Sequence, residues 1–177
     1  MGIPSIGIYS YELFKFYGVD YIMRVGSTGS LVKEVKVGSV YIAKEAWSRS
    51  DFVKEIKVKT NKGVLTPSKK RYNLAIKVCK ENKIPYHTGR VLSSDVFYTD
   101  YNVEQLRRRS GGAEVTEMES SGLFAVAQKV KKQALTILTA SDSLVTHDEM
   151  SAAERVTKFG DMVKIALEVA VKLLKKK

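Results

Sequence analysis

Residues 134–142 read ALTILTASD, an apolar and threonine run that ends in Ser141-Asp142. A run of this length and content is typical of a strand that is buried on both faces of an α/β sheet. Helical patterns lie on both sides of it, over residues 120–130 and 152–175. The order helix, buried strand, helix predicts an α/β fold in which helices cover the sheet.

The rest of the chain alternates in the same way. Hydrophobic periodicity and capping residues predict helices over 4–16, 68–82 and 103–109, and strands over 20–25, 39–46, 85–96 and 113–118. No repeat or linker separates these elements. We therefore expect residues 1–177 to form one domain, a three-layer α/β/α arrangement around a central mixed sheet.

Composition limits the class of protein. With 177 residues, of which 44% are apolar, the chain can bury a sizeable core. No apolar run reaches the roughly 18 residues that span a bilayer, and the first residues lack a signal-peptide pattern. We expect a cytoplasmic protein with no membrane partner. Cys79 is the single cysteine and is expected to be a reduced packing residue.

The net charge of +11 raises the question of a nucleic-acid partner. The excess is mostly lysine scattered over polar helix faces, whereas nucleic-acid readers favour arginine interleaved with aromatic residues. A solvated lysine coat is the better interpretation, and we expect no nucleic-acid partner. The run Arg107-Arg108-Arg109 is able to hold phosphates, but its place at a helix end is explained by the helix dipole.

Ligands of α/β sheets bind beyond the carboxyl ends of the strands, which directs attention to three strand ends. The first is Arg24-Val25-Gly26-Ser27-Thr28-Gly29. An arginine followed by a Gly-Ser-Thr-Gly turn gathers a guanidinium, amides and hydroxyls that suit a phosphate-sized anion. An ordinary glycine turn with a serine cap explains the same residues equally well.

The second strand end is Glu117-Met118-Glu119-Ser120. In extended backbone the two carboxylates lie on one face, roughly 7 Å apart. Acceptors at that separation suit the vicinal hydroxyls of a sugar, or the acid and base of a glycosidase. The alternative is that both are helix-entry carboxylates favoured by the dipole of the following helix.

The third strand end is Ser141-Asp142, followed by Ser151-Ala152-Ala153-Glu154, which predicts a capping box at the start of the last helix. Arg155 then lies in the first helical turn, where the dipole disfavours a cation. We expect Arg155 to pair with a carboxylate at the neighbouring strand end, namely Asp142. A capping Asp142 and a solvated Arg155 are the alternative.

Several motifs in this order resemble the nucleoside phosphorylases of the hexameric bacterial purine type. They include Met1-Gly2-Ile3-Pro4-Ser5, Arg24-Val25-Gly26-Ser27, Ser94-Asp95-Val96-Phe97-Tyr98, Glu117-Met118-Glu119, Ser141-Asp142 and Ala153-Glu154-Arg155. The resemblance runs essentially from end to end. It implies phosphorolysis of purine nucleosides to the free base and ribose 1-phosphate, with phosphate as co-substrate and no metal or organic cofactor. It also implies a homo-oligomer, a hexamer built as a trimer of dimers.

The resemblance implies a role for each matching residue. Arg24 and Ser27 bind phosphate. Met118 and Glu119 hold the ribose, and Met1 is another ribose-side methionine. Glu117 counts among the substrate-binding residues, and Phe97 faces the base with Thr116 at the pocket edge. Asp142 is the general acid for the leaving base, assisted by Arg155, with Ser141 beside them. Cleavage of an N-glycosidic bond needs these three provisions: a held sugar, a placed anion and a proton for the leaving group.

Related enzymes leave alternatives open. Uridine phosphorylases carry a glutamine and an arginine where this chain has Tyr101 and Val103, and methylthioadenosine-type nucleosidases use water in place of phosphate. Ser143 stands where histidine is common, which leaves the choice between 6-oxo and 6-amino purines open. In this family the Met-Gly-Ile-Pro-Ser segment is internal, so we expect the family's N-terminal third to be lacking. A catalytically silent nucleoside-binding or assembly domain is therefore the other hypothesis.

Overall fold

A computed structural model describes residues 2–174. Its helices and strands follow the chain in this order: α1 (Ile3–Lys15), β1 (Tyr21–Ser30), β2 (Val40–Trp47), α2 (Phe52–Glu55), β3 (Val64–Leu65), α3 (Lys69–Glu81), β4 (Tyr86–Ser93), α4 (Val103–Arg109), β5 (Val115–Glu117), α5 (Ser120–Lys129), β6 (Gln133–Ser143), α6 (Ala152–Thr157) and α7 (Gly160–Leu174).

The sheet is mixed, as the sequence predicts. Its order is β3-β2-β4-β5-β1-β6, with parallel ladders between β1 and β6, β2 and β4, and β4 and β5. β1 and β5 are antiparallel. β6 also pairs with β2 through Val40, Tyr41 and Ile42, so five of the strands close into a ring. The sequence did not predict this closure.

Helices cover both faces of the sheet, which confirms the α/β/α arrangement. Alternate residues of β6 enter different cores: Leu135 and Ile137 pack with α3 and α7, whereas Ala134 and Leu138 pack on the side of α1 and α5. This alternation is the period of two expected for a strand that is buried on both faces. Cys79 is fully buried in the α3 and α7 core, as expected for a packing residue.

Most predicted bounds differ by a few residues, the short elements α2 and β3 were not predicted, and two elements differ more. β1 does not end near Val25 but continues to Ser30, because β6 pairs with it over its whole length. The helix predicted over 152–175 is divided into α6 and α7 by a turn at residues 158–159, just before Gly160, a weak helix former. Residue 175 lies outside the described part of the chain.

The pairing of β1 is uneven along its two edges. β6 pairs with β1 from Tyr21 to Ser30, whereas β5 reaches only Gly29 and Ser30 on the other side.

Over residues 2–174, no helix is long and apolar enough to cross a membrane.

Candidate active site

Arg24 lies in the middle of β1, paired in the ladder with Thr136 of β6. Its Nη2 is 2.5 Å from Oε2 of Glu119 and 3.2 Å from Oε2 of Glu117. Its Nη1 is buried and has no hydrogen-bond partner among the described residues. The guanidinium is therefore held on one side by two carboxylates, while a second donor group is left for an anion.

The Gly-Ser-Thr-Gly segment after Arg24 is not the turn that the sequence suggests. It continues β1, with a bulge between Thr28 and Gly29. Gly26 serves a different purpose, because a Cβ at this position would lie 2.9 Å from Nη1 of Arg24 and 3.2 Å from its Cζ. The guanidinium is folded back over the glycine, and only a residue without a side chain leaves it that room.

Glu119 lies just before α5 and connects three separate parts of the chain. Its Oε1 accepts a hydrogen bond from the Gly2 amide at 2.9 Å, and its Oε2 accepts one from Arg24. Gly2 has a φ of 98°, a conformation that favours glycine, and it precedes the first turn of α1. The start of α1 is thereby fixed against the same carboxylate that holds Arg24.

Glu117 has a different environment, although it was predicted as a second sugar-binding group. Its side chain is buried, and both of its oxygens accept hydrogen bonds from the backbone amide of Ser120. Its Oε2 also accepts the Glu119 amide at 3.0 Å. The observed contacts of Glu117 are therefore those of a carboxylate at the entry to a helix. Through them Glu117 supports the loop that carries Glu119.

Ser93, at the end of β4, is a residue that the sequence reasoning missed. It is fully buried, its hydroxyl donates to Oε1 of Glu117 at 2.5 Å, and its oxygen accepts the Ser121 amide at 2.9 Å. The only signal in the sequence is its position directly before the Ser94-Asp95-Val96-Phe97-Tyr98 motif. Ser93 joins the end of β4 to the start of α5 through the Glu117 carboxylate.

Asp142 and Ser141 lie at the carboxyl end of β6, as predicted. The Ser141 hydroxyl donates to Oδ1 of Asp142 at 2.6 Å, and Asp142 is half-buried. Asp142 is paired with Gly29 of β1, and a Cβ on Gly29 would lie 2.8 Å from Oδ2 of Asp142. Thr116 is next to them, because it pairs with Gly29 and its carbonyl accepts the Thr28 hydroxyl at 2.7 Å.

Arg155 does not pair with Asp142 in this structure, contrary to the prediction. Its side chain is exposed, and its Nε donates to the Met150 carbonyl at 3.2 Å. The capping box is present, with Ser151 and Glu154 bonded to each other's backbone amides. α6 starts where the sequence predicts, but the Arg155 guanidinium is turned back to the Met150 carbonyl and not toward the end of β6.

The remaining predicted residues are spread around this cluster. Ser27 is exposed on β1, three residues from Arg24, a spacing that puts the two side chains on opposite faces of a strand. Met118 is half-buried between the two glutamates. Phe97 is 74% exposed and packs edge to face on Tyr98, with ring centroids 5.0 Å apart. Met1 lies outside the described residues.

The arrangement has the chemistry of an organic-ligand site. Within residues 2–174, no group of three or more histidine, cysteine, aspartate or glutamate side chains is placed to hold a metal ion. β1 carries an arginine with a free donor, the loop before α5 places the Glu119 carboxylate beside it, and β6 carries a second carboxylate, Asp142, at its end. The arginine is able to bind an anion, and the carboxylates are able to accept hydrogen bonds from hydroxyl groups or to carry a proton.

A family model described as the phosphorylase superfamily matches residues 1–176 of this sequence. The chain belongs to the phosphorylase superfamily. This confirms the family that the motifs predict. The match includes all the strands and helices that position Arg24, Glu119 and Asp142.

Curated relatives of this superfamily member are named purine nucleoside phosphorylase DeoD-type. The protein of that name from Mycoplasma genitalium is 43% identical over 176 residues, which are 98% of this chain and 74% of the relative. The Mycoplasma pneumoniae protein is 40% identical over the same shares. The protein from Caldanaerobacter subterraneus is 41% identical over 174 residues, covering 96% of this chain and 73% of the relative.

Proposed function

We propose that this chain catalyses the phosphorolysis of purine nucleosides to the free purine and ribose 1-phosphate. The observation that carries the proposal is the environment of Arg24. Glu117 and Glu119 hold one amino group of its guanidinium, while the other is buried and has no partner among the described residues. The names of the curated relatives support the same reaction.

In the proposed reaction, phosphate binds to Nη1 of Arg24. Ser27, whose side chain is on the other face of β1, is kept as a second donor only on the family resemblance, to be tested with Ser27→Ala. Glu119 accepts hydrogen bonds from the ribose hydroxyls, and Met118 packs against the ribose. A phosphate oxygen bonds to the anomeric carbon as the bond from that carbon to the purine breaks. The electron pair of the broken bond passes to the purine, which takes a proton from Asp142 on a ring nitrogen. The base lies toward Phe97 and Thr116.

Asp142 is suited to this role by its surroundings. The Ser141 hydroxyl orients its Oδ1, and the backbone of Gly29 leaves space for its Oδ2. The role implied for Arg155 requires its guanidinium to leave the Met150 carbonyl and reach Asp142 when substrate is bound. We keep that role as part of the proposal, to be tested with Arg155→Ala.

The proposal extends to a cytoplasmic homo-oligomer, a hexamer made of three dimers, with the whole chain as one nucleoside phosphorylase domain. The outer face of α1 supports an oligomer. Ile8, Tyr9, Phe16 and Tyr17 on or just beyond that helix are each more than 60% exposed. A cluster of large apolar side chains at a surface is typical of a protein contact.

The test is the release of hypoxanthine from inosine and of adenine from adenosine by this 177-residue chain, with and without inorganic phosphate. We expect release that requires phosphate and yields one ribose 1-phosphate per base. Release without phosphate would indicate a nucleosidase, and release of uracil from uridine alone would indicate a pyrimidine enzyme. Binding of inosine without release of any base would contradict the proposed phosphorolysis and support the hypothesis of a catalytically silent nucleoside-binding domain.

A further inference from the structure

A second cavity, of about 350 Å3, lies at the carboxyl ends of β2 and β4. These strands are parallel and adjacent, with Trp47 paired to Leu92 where both strands end. Ligands of α/β sheets bind beyond such ends. The volume is within the range of roughly 300 to 1,000 Å3 that is usual for small-molecule sites. Of the residues assigned above to nucleoside or phosphate, none is in its lining.

The walls of this cavity are aromatic and apolar. Trp47 and Tyr101 both line it, and Leu92 and Leu106 add aliphatic surface. The indole nitrogen of Trp47 donates to the Lys62 carbonyl at 3.0 Å, which fixes the ring. Rings in such a setting bind a planar heterocycle by stacking, largely independent of its identity.

Two arginines line the same cavity. The guanidinium of Arg109 lies over the ring of Tyr101, with Cζ 3.9 Å from the ring centroid. Arg49 is exposed, and neither arginine has a carboxylate partner among the salt bridges of residues 2–174. Asp95 is the one acidic residue of the lining, so the charge of the cavity is net positive. Guanidinium groups without carboxylate partners are well suited to a phosphate.

We propose that this cavity binds a nucleoside 5′-monophosphate. The base lies against the aromatic wall of Trp47 and Tyr101, and the phosphate lies at Arg49 and Arg109. The position of Arg109 at the end of α4 is explained by the helix dipole, but its stacking on Tyr101 and its place in the cavity are not. The inference does not depend on the proposed phosphorolysis.

The cavity and the Arg24 cluster have one side chain in common. Ser93 lines the cavity, and its hydroxyl donates to Glu117, whose other oxygen is 3.2 Å from Arg24. Ser93 and Glu117 therefore link the lining of the cavity to the Arg24 guanidinium through direct contacts.

The test uses the fluorescence of Trp47, which is the only tryptophan of the chain. AMP is titrated into the intact protein, with adenosine and inorganic phosphate as separate probes. We expect saturable quenching by AMP at a concentration at least about tenfold lower than for adenosine, because the phosphate adds charged hydrogen bonds. Equal response to adenosine and AMP, a response to phosphate alone, or no response to AMP overturns the proposal.

Variants locate the effect. Arg109→Ala and Arg49→Ala should each weaken the AMP response by about tenfold, whereas Arg108→Ala should not change it. Arg108 is the matched control because it lies beside Arg109 in the last turn of α4 but lines a different cavity. Because Arg49 is exposed, Arg49→Ala should fold normally. It therefore tests the site even if Arg109→Ala does not fold. Equal AMP affinity in all three variants contradicts the proposal.

Asp142→Asn separates this site from the proposed active site. The AMP response of Trp47 should survive that substitution unchanged, whether or not phosphorolysis is lost. If phosphorolysis is never observed but AMP quenches Trp47 in an Arg109-dependent way, the nucleotide site stands and the proposed function fails. Loss of the AMP response in Asp142→Asn would place AMP at the nucleoside site and overturn the inference.

Discussion

Arg24 and Glu119 are 95 residues apart in the chain, and their side chains meet with Nη2 2.5 Å from Oε2. Both groups are largely buried, with side-chain exposures of 14% and 16%. A pair of this kind stabilises a fold only as a complete set, because either charge alone would be buried without compensation. The same two residues are at the centre of the proposed phosphate and ribose sites.

Replacing Arg24 by methionine should lower the free energy of unfolding by about 3 kcal/mol, since Glu117 and Glu119 would lose their cation. Urea denaturation at neutral pH measures the change. Lys132→Met is the control, because the partner of Lys132, Asp20, is 72% exposed, and the expected loss is under about 1 kcal/mol. Equal losses in the two variants would mean that Arg24 behaves as a surface charge.

Gly26→Ala should weaken phosphate binding more than it affects stability. The added methyl would lie 2.9 Å from Nη1 of Arg24, and the guanidinium, as the end of a long side chain, is able to move away. We expect a higher KM for phosphate with a nearly unchanged Tm.

Gly160→Ala is the matched control for that variant, because nothing lies within 4 Å of the added Cβ in α7. It should raise stability by less than about 0.5 kcal/mol, because Gly160 is the first residue of α7 and not an interior one, and it should leave the KM for phosphate unchanged. An unchanged KM in Gly26→Ala would show that the packing of Arg24 on Gly26 has no role in binding.

Asp142→Asn should reduce kcat by about a hundredfold or more while changing nucleoside affinity much less, since an amide cannot supply the proton to the leaving base. Single-turnover kinetics and equilibrium binding of inosine separate the two effects. Asp148→Asn is the control, because Asp148 is exposed and its carboxylate accepts a hydrogen bond from the Thr146 hydroxyl two residues earlier. Parallel losses of binding and turnover would argue against an acid role.

The start of α6 should weaken in acid. The Lys158 ammonium, and then the Ser151 amide and hydroxyl, lower the pKa of Glu154 to about 2 from an ordinary value of 4.5. A carboxyl with a lowered pKa stabilises the folded state above its ordinary pKa, and this contribution is lost as pH falls from about 4.5 to about 2. Carboxyl chemical shifts followed by NMR over this range measure the pKa.

Two variants divide the causes of that shift. Lys158→Met should raise the pKa of Glu154 more than Ser151→Ala does, because the bond to Lys158 is the larger cause. In Glu154→Gln, the amide protection of α6 should no longer depend on pH between 2 and 4.5. A larger effect of Ser151→Ala would show that the cap dominates over the ion pair.

Local signals in the sequence predicted most of the fold. α4 has the predicted bounds, Val103–Arg109, because Asn102 and Gln105 form a capping box and the chain turns at Ser110. The path of β1 beyond Gly26 was not predictable in the same way. Glycine, serine and threonine indicate a turn, but the residues that keep them extended are in β6, more than a hundred positions later.

The candidate site shows the same division. The motifs pointed to Arg24, Glu119 and Asp142, and the structure puts all three on β1, β6 or the loop between β5 and α5. The roles of Ser93 and Gly26 depend on which side chains contact them in the folded sheet. The spacing of residues in the sequence does not predict those contacts. The pairing of Arg155 with Asp142 is absent from this structure, because the charge preference of a helix end does not specify which way a side chain turns.

The long ladder between β1 and β6 also determines when the site can form. Tyr21 pairs with Gln133, so the two strands meet only after all the residues between them have been synthesised. Contacts between such distant positions are slow to form, because a long loop must close before the pairing contributes any stability. On the ribosome, Arg24 and Asp142 would remain apart until β6 emerges, and binding capacity would appear only then.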